Sequence, residues 1–122
     1  MPEKKILLVD DDPVCLSLMR ELLEDKYVLK LARNGKEALD TAGGFNPDLI
    51  VLDVMMSGID GFEVCRSLRN SDRSEKAKII FVSAKEPGIE NQIDINSNGY
   101  GFLLKPFGPD DFDNKVERIL AA

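Results

Sequence analysis

Apolar residues along this chain follow two alternating patterns, short unbroken runs and longer stretches spaced by three and four. Ile6-Leu7-Leu8-Val9, Leu49-Ile50-Val51-Leu52 and Ile79-Ile80-Phe81-Val82 are continuous runs, as in strands covered on both faces. Phe102-Leu103-Leu104 is a shorter run of the same kind. Tyr27 to Ala32 reads as a strand interrupted by Lys30, which places it near a sheet edge. Between the runs lie helical patterns. Asp12 is an N-cap followed by Pro13 at the first helical position, and Cys15, Leu18, Met19 and Leu22 then form one stripe. Lys36 to Ala42 predicts a short helix stopped by Gly43-Gly44. Gly61 to Asn70 predicts another with Val64, Cys65 and Leu68 inward, and the last helix carries Phe112, Val116, Ile119 and Leu120 on one face. Position calls for a helix from Glu86 to Asn98 as well, but Pro87, Gly88 and several asparagines argue for a short or mobile one.

Five strands alternating with five helical segments imply βαβ units. Right-handed crossovers then make the sheet parallel and doubly wound. Such an α/β sheet puts its site outside the carboxyl ends of the strands, where the strand order reverses.

Composition narrows the class. The 122 residues suit one domain covering 1–122, and a net charge of −6 argues against non-specific nucleic-acid binding and anionic membranes. No apolar run is long enough to span a bilayer, and Met1-Pro2-Glu3-Lys4-Lys5 is not a signal peptide, so a cytoplasmic location is expected. Cys15 and Cys65 sit in no ligand spacing and are expected to be buried, reduced thiols. With no histidine in the chain, a His-based triad is excluded.

The chemistry therefore falls to carboxylates, lysine and hydroxyls. Asp10, Asp11 and Asp12 follow the first strand, Asp53 the third, Ser83 ends the fourth and Lys105 follows the fifth. Singly, each has an ordinary reading: helix cap, turn residue, loop hydroxyl, surface charge. In a parallel sheet, however, these strand ends share one edge, so Asp10, Asp11 and Asp53 crowd one crevice with a single lysine. Two like charges about 4 Å apart repel by roughly 4 kcal/mol at an effective dielectric near 20. Either a carboxyl is protonated or a cation binds. An all-oxygen set favours Mg²⁺, Mn²⁺ or Ca²⁺, and so few protein ligands favour Mg²⁺ with its own waters, Mn²⁺ being the alternative. Mg²⁺ beside a carboxylate and a lysine is equipment for phosphoryl transfer, with Asp itself able to act as nucleophile.

Five segments now stand together: Ile6–Pro13, Pro47–Met56, Gly58–Glu63, Ile80–Lys85 and Phe102–Phe107. In this order and spacing the chain resembles the receiver domains of bacterial two-component response regulators over essentially its whole length. The resemblance implies a flavodoxin-like (βα)5 fold with a five-stranded parallel sheet in the order 2-1-3-4-5. It implies a phosphoacceptor switch rather than a turnover enzyme, one that catalyses only its own phosphorylation and dephosphorylation. Asp53 would receive the phosphoryl group from a sensor histidine kinase or phosphotransfer protein. Asp11 would be a direct Mg²⁺ ligand with Asp53, Asp10 would hold metal-bound water, and Met55 would lend its backbone carbonyl. Ser83 and Lys105 would bind phosphoryl oxygens, and Lys105-Pro106 matches a bond that is cis in the family. Ser83 and Phe102 would form the switch, Phe102 rotating as Ser83 is drawn inward. The output face would comprise Glu86–Asn98, the fifth strand and the last helix, presented to a downstream protein or fused output domain, with a homodimer also in view.

The chain departs from the family pattern at Ser57, where proline is usual, and at Asn98-Gly99 and Gly101 before the switch aromatic. Met55 and Lys85 are expected to flank the path of water to the acyl phosphate. Two other readings compete. A metal-dependent phosphohydrolase would carry a second Asp where Met55 stands, and a phosphate-independent interaction module would not need the complete acid, serine and lysine set.

Overall fold

Strand β1 (Lys5–Val9) is apolar from Ile6 onward because helices cover both of its faces. The computed structural model describes residues 3–56, 58, 60–70, 77–84 and 100–121. The remaining strands are β2 (Val28–Ala32), β3 (Leu49–Asp53), β4 (Lys78–Ser83) and β5 (Tyr100–Leu104). All neighbouring pairs are parallel, in the order β2-β1-β3-β4-β5. This is the order that the resemblance implies. As the Lys30 interruption suggests, β2 is an edge strand.

Alternate residues of the strands feed two cores. Leu7, Val9, Ile50, Leu52, Ile79 and Phe81 face α2 (Gly35–Phe45) and α3 (Gly61–Arg69). Ile6, Leu8, Leu49, Val51, Ile80 and Val82 face α1 (Pro13–Leu23) and α4 (Pro109–Ala121). The period-two alternation of strand side chains explains the division, and it makes every central position apolar.

Helix starts are written locally. Asp12, Asn34 and Asp60 cap α1, α2 and α3, each accepting from a backbone N–H two or three residues on. Two expectations need correction. On α1 the buried stripe is Leu16, Met19 and Leu23, while Leu18 is 44% exposed and Cys15 and Leu22 are half-buried. A 3.6-residue period fits both stripes, and packing against β1 and α4 selects this one. Helix α2 does not stop at Gly43-Gly44 but runs to Phe45, ending on Asn46 in the left-handed region at φ 53°. Asparagine tolerates that conformation and supplies the cap that glycine was expected to supply. The segment Glu86–Asn98, together with Ser57 and Lys85, lies outside the described residues.

Because Gly43 and Gly44 sit inside α2 with open space where a Cβ would project, alanine should fit both. We expect Gly43→Ala with Gly44→Ala to stabilise the fold by about 1–2 kcal/mol through helix propensity alone. Guanidinium unfolding of the double variant measures this, and a lower midpoint would refute it.

Candidate functional site

The strand order reverses between β1 and β3, so the chain leaves the centre of the sheet in opposite directions there. Val9 pairs with Leu52, and the next residues along, Asp10 and Asp53, are therefore neighbours across this gap. Ser83 closes β4 and Lys105 follows β5, joined by a bond from the Lys105 N–H to the Ser83 carbonyl at 2.8 Å. The Lys105-Pro106 peptide is cis.

The side chains meet as the strand ends require. Lys105 Nζ lies 3.1 Å from Asp10 Oδ2 and 3.6 Å from Asp53 Oδ2. Carboxylate oxygens of Asp10, Asp11 and Asp53 lie within 4.8 Å of one another. Asp10 is fully buried and Asp53 5% exposed, while Asp11 faces solvent. Local backbone donors hold the carboxylates in place. The Asp12 N–H donates to Asp10 Oδ1 at 2.9 Å, and the Met55 N–H to Asp53 Oδ1 at 3.2 Å.

One cation facing two buried anions leaves them unequal. Burial and then the Asp10 charge push the Asp53 carboxyl up to about 6. Burial also raises Asp10, but bonds from the Asp12 N–H, Cys15 and Lys105 outweigh it and hold Asp10 below the usual carboxylate value. Burial alone would lower Lys105, yet the Asp10 bond raises it overall. Thus the metal-free site keeps Asp10 and Lys105 as an ion pair and leaves Asp53 as the carboxyl with the strained charge. The chemistry of the set fits a hard divalent cation, because among the described residues the grouped donors are carboxylate oxygens and Lys105 by itself does not balance three of them.

Beside the carboxylates, Asp11, Val54, Met55, Met56 and Asp60 line an open cavity of about 450 Å³. The Met55 side chain is 55% exposed and makes no demand on the core. Ser83 is buried, and Phe102 is half-buried against the core on the α2/α3 side of the sheet. Phe81 pairs with Phe102, so Ser83, two residues further on, occupies the diagonal position on the same face.

Asp10, Asp11, Asp53 and Lys105 converge at this edge, where β4 also ends on Ser83; Phe102 lies within β5, paired with Phe81. Two contributors were not foreseen. Cys15 is half-buried, and its thiol donates to Asp10; burial and that carboxylate push it up to about 12. Its place in the first turn after β1 was the available signal. Gly61 is the other, and only its neighbours in space reveal it.

A doubly wound parallel sheet with an acid cluster and a lysine at its switch point is the fold and site that the family comparisons match. Residues 6–117 match the response regulator receiver domain family. The chain is 37% identical over 117 residues to the response regulator MprA of Mycolicibacterium vanbaalenii, covering 95% of this chain and 50% of that protein. It is 36% identical over 118 residues to the alkaline phosphatase synthesis transcriptional regulatory protein PhoP of Bacillus subtilis, covering 96% and 48%. It thus spans about half the length of the curated relatives it matches. Among solved structures, the chemotaxis protein CheY4 of Vibrio cholerae superposes with a TM-score of 0.87 at 27% identity, covering 97% of this chain and 99% of that one. The response regulator TrrA of Thermotoga maritima, in complex with Mg²⁺-BeF, does so with a TM-score of 0.77 at 36% identity, covering 95% and 98%. This chain belongs to the receiver domain family of two-component response regulators.

Proposed function

We propose that residues 1–122 form one receiver domain that takes a phosphoryl group onto Asp53 from a sensor histidine kinase or phosphotransfer protein. The supporting observation is the Asp10, Asp11, Asp53 and Lys105 cluster, with Asp53 the carboxyl least satisfied by its surroundings. Asp10, Asp11, Asp53 and the Met55 carbonyl would hold Mg²⁺, or Mn²⁺ in its place. A bound Mg²⁺ supplies charge neutralisation for the transferring group.

The remaining work belongs to the chain. With its carboxyl near 6, Asp53 is mostly ionised above pH 7 and can attack phosphorus. The new Asp53 O–P bond forms as the donor's P–N bond, or the P–O bond of an acyl phosphate, breaks, and the donor leaves with the bonding electrons. Lys105 then balances charge on the phosphoryl oxygens, and the Ser83 hydroxyl donates to one of them. Drawing Ser83 inward frees space diagonal to Phe102, whose rotation would alter the surface around β5 and α4. That surface would address a downstream protein, a fused output domain or, in a homodimer, a second copy of the chain; a cytoplasmic setting agrees with this role. Among the described residues, no helix is long and apolar enough to cross a membrane. The role is that of a stoichiometric switch, not a turnover enzyme.

Intact mass spectrometry after incubation with acetyl phosphate and Mg²⁺ tests this reading. One added phosphoryl group per chain is expected, and its absence would remove the proposal.

A further inference from the structure

Gly61 opens α3, yet it touches the phosphoacceptor strand. A Cβ built there would lie 2.7 Å from the Asp53 carbonyl oxygen, 2.9 Å from Val54 Cα and 3.2 Å from the Asp53 carbonyl carbon. All three are backbone atoms, so no flexible side chain can yield. The Gly61 N–H donates to the Val54 carbonyl at 3.0 Å, closing the loop that carries Met55. On its other side, the Val54 N–H donates to Val82 at 2.9 Å, tying the same residue to β4.

Helix α3 has little freedom to retreat. Phe62 is buried next to Gly61, with its ring centroid 4.8 Å from that of Phe81 in the sheet. Its neighbours Val64, Cys65 and Leu68 are also anchored in the core. A side chain at position 61 must therefore displace the Asp53–Val54 main chain, from which the Asp53 carboxylate and the Met55 N–H that steadies it both extend.

We propose that Gly61 is a positioning residue that sets the Asp53–Met55 backbone for divalent-cation and phosphoryl binding. The inference rests on the phosphoacceptor reading given above. It concerns how the site is held, and the contact acts through backbone without touching the reacting atoms.

The test is Gly61→Ala, made in the wild type and in the stabilised Gly43→Ala, Gly44→Ala background, which keeps the variant folded if the wild-type background does not. Mg²⁺ affinity is followed by amide chemical shifts, and fold stability by guanidinium unfolding. At least a tenfold loss of Mg²⁺ affinity is expected, with the metal-free amides of Val54 and Met55 already displaced. Gly101→Ala is the control: its Cβ would meet the side chains of Ile80, Lys115 and Ile119 at 3.4–3.8 Å. That variant should alter stability and leave Mg²⁺ affinity within twofold. Wild-type Mg²⁺ affinity with undisplaced Val54 and Met55 amides in Gly61→Ala would overturn the proposal, as would an equal Mg²⁺ loss in Gly101→Ala. If the unsubstituted chain itself fails to respond to Mg²⁺, the phosphoacceptor reading falls, and the metal-free amides still decide whether Gly61 positions this backbone.

Discussion

Replacing Asp53 by asparagine should abolish phosphoryl uptake and, without Mg²⁺, make the protein more stable. The first effect follows because the amide cannot form the acyl phosphate; uptake from acetyl phosphate should fall to background. The second follows from the raised Asp53 value of about 6. An aspartate in the unfolded chain titrates near 3.9, so the folded state binds this proton more tightly. The associated stability is fully present below the unfolded value and is lost as pH rises through about 6. Above that, an ionised Asp53 costs about 1–3 kcal/mol relative to a neutral isostere. Chemical unfolding in EDTA should therefore favour Asp53→Asn at pH 8, with the gap closing by about pH 4. Asp10, held low, contributes with the opposite sign, and because the two carboxyls are in contact the comparison reads the pair and not Asp53 alone. Adding Mg²⁺ should reverse the ranking, since ligand bound to the native state stabilises it by mass action. Equal stabilities at pH 8 in EDTA would show that Asp53 carries no charge penalty.

Lys105→Met should slow phosphorylation by about a hundredfold or more while tightening Mg²⁺ binding. Lysine stands 3.1 Å from Asp10 and 3.6 Å from Asp53, where it both balances the carboxylates and competes with a cation for them. Methionine keeps the stem but deletes the charge, and losing one such stabilising group on a developing oxyanion costs about 10²–10³ in rate. The ammonium is partly exposed, so solvent softens the penalty for leaving Asp10 unpaired; about 1–2 kcal/mol of metal-free stability at pH 8 is expected to be lost. At pH 5, where Asp53 is protonated, that loss should shrink. Isothermal titration with Mg²⁺ and a rate measurement with acetyl phosphate separate the two effects. Weaker Mg²⁺ binding by the variant would mean that Lys105 organises the carboxylates instead of competing for them.

These results concern a site that was largely visible in the linear chain. Asp10, Asp53, Ser83 and Lys105 each follow or end an apolar run, and parallel strands bring such ends together. The three capping residues are equally local, each a short polar side chain just before its helix. What misled was degeneracy. On α1 two stripes satisfied the same period, and at the end of α2 two glycines looked like a stop although Asn46 provided it. The first is decided by packing against other elements, beyond the reach of neighbours along the chain; the second turns on Asn46, whose tolerance of the left-handed region lets the helix pass both glycines.

The order of apolar runs and helical stripes by itself determined that this is an α/β chain, and the residues at the ends of those runs determined which acids and which lysine it offers. Those are consequences of local spacing, which the chain carries in any conformation. Tertiary structure alone decided that Asp10 keeps its charge while Asp53 resists it, that Cys15 turns toward Asp10, and that Gly61 presses on the Asp53 main chain. Charge balance and close contact depend on atomic distances between residues on different elements, and only the folded sheet sets those distances.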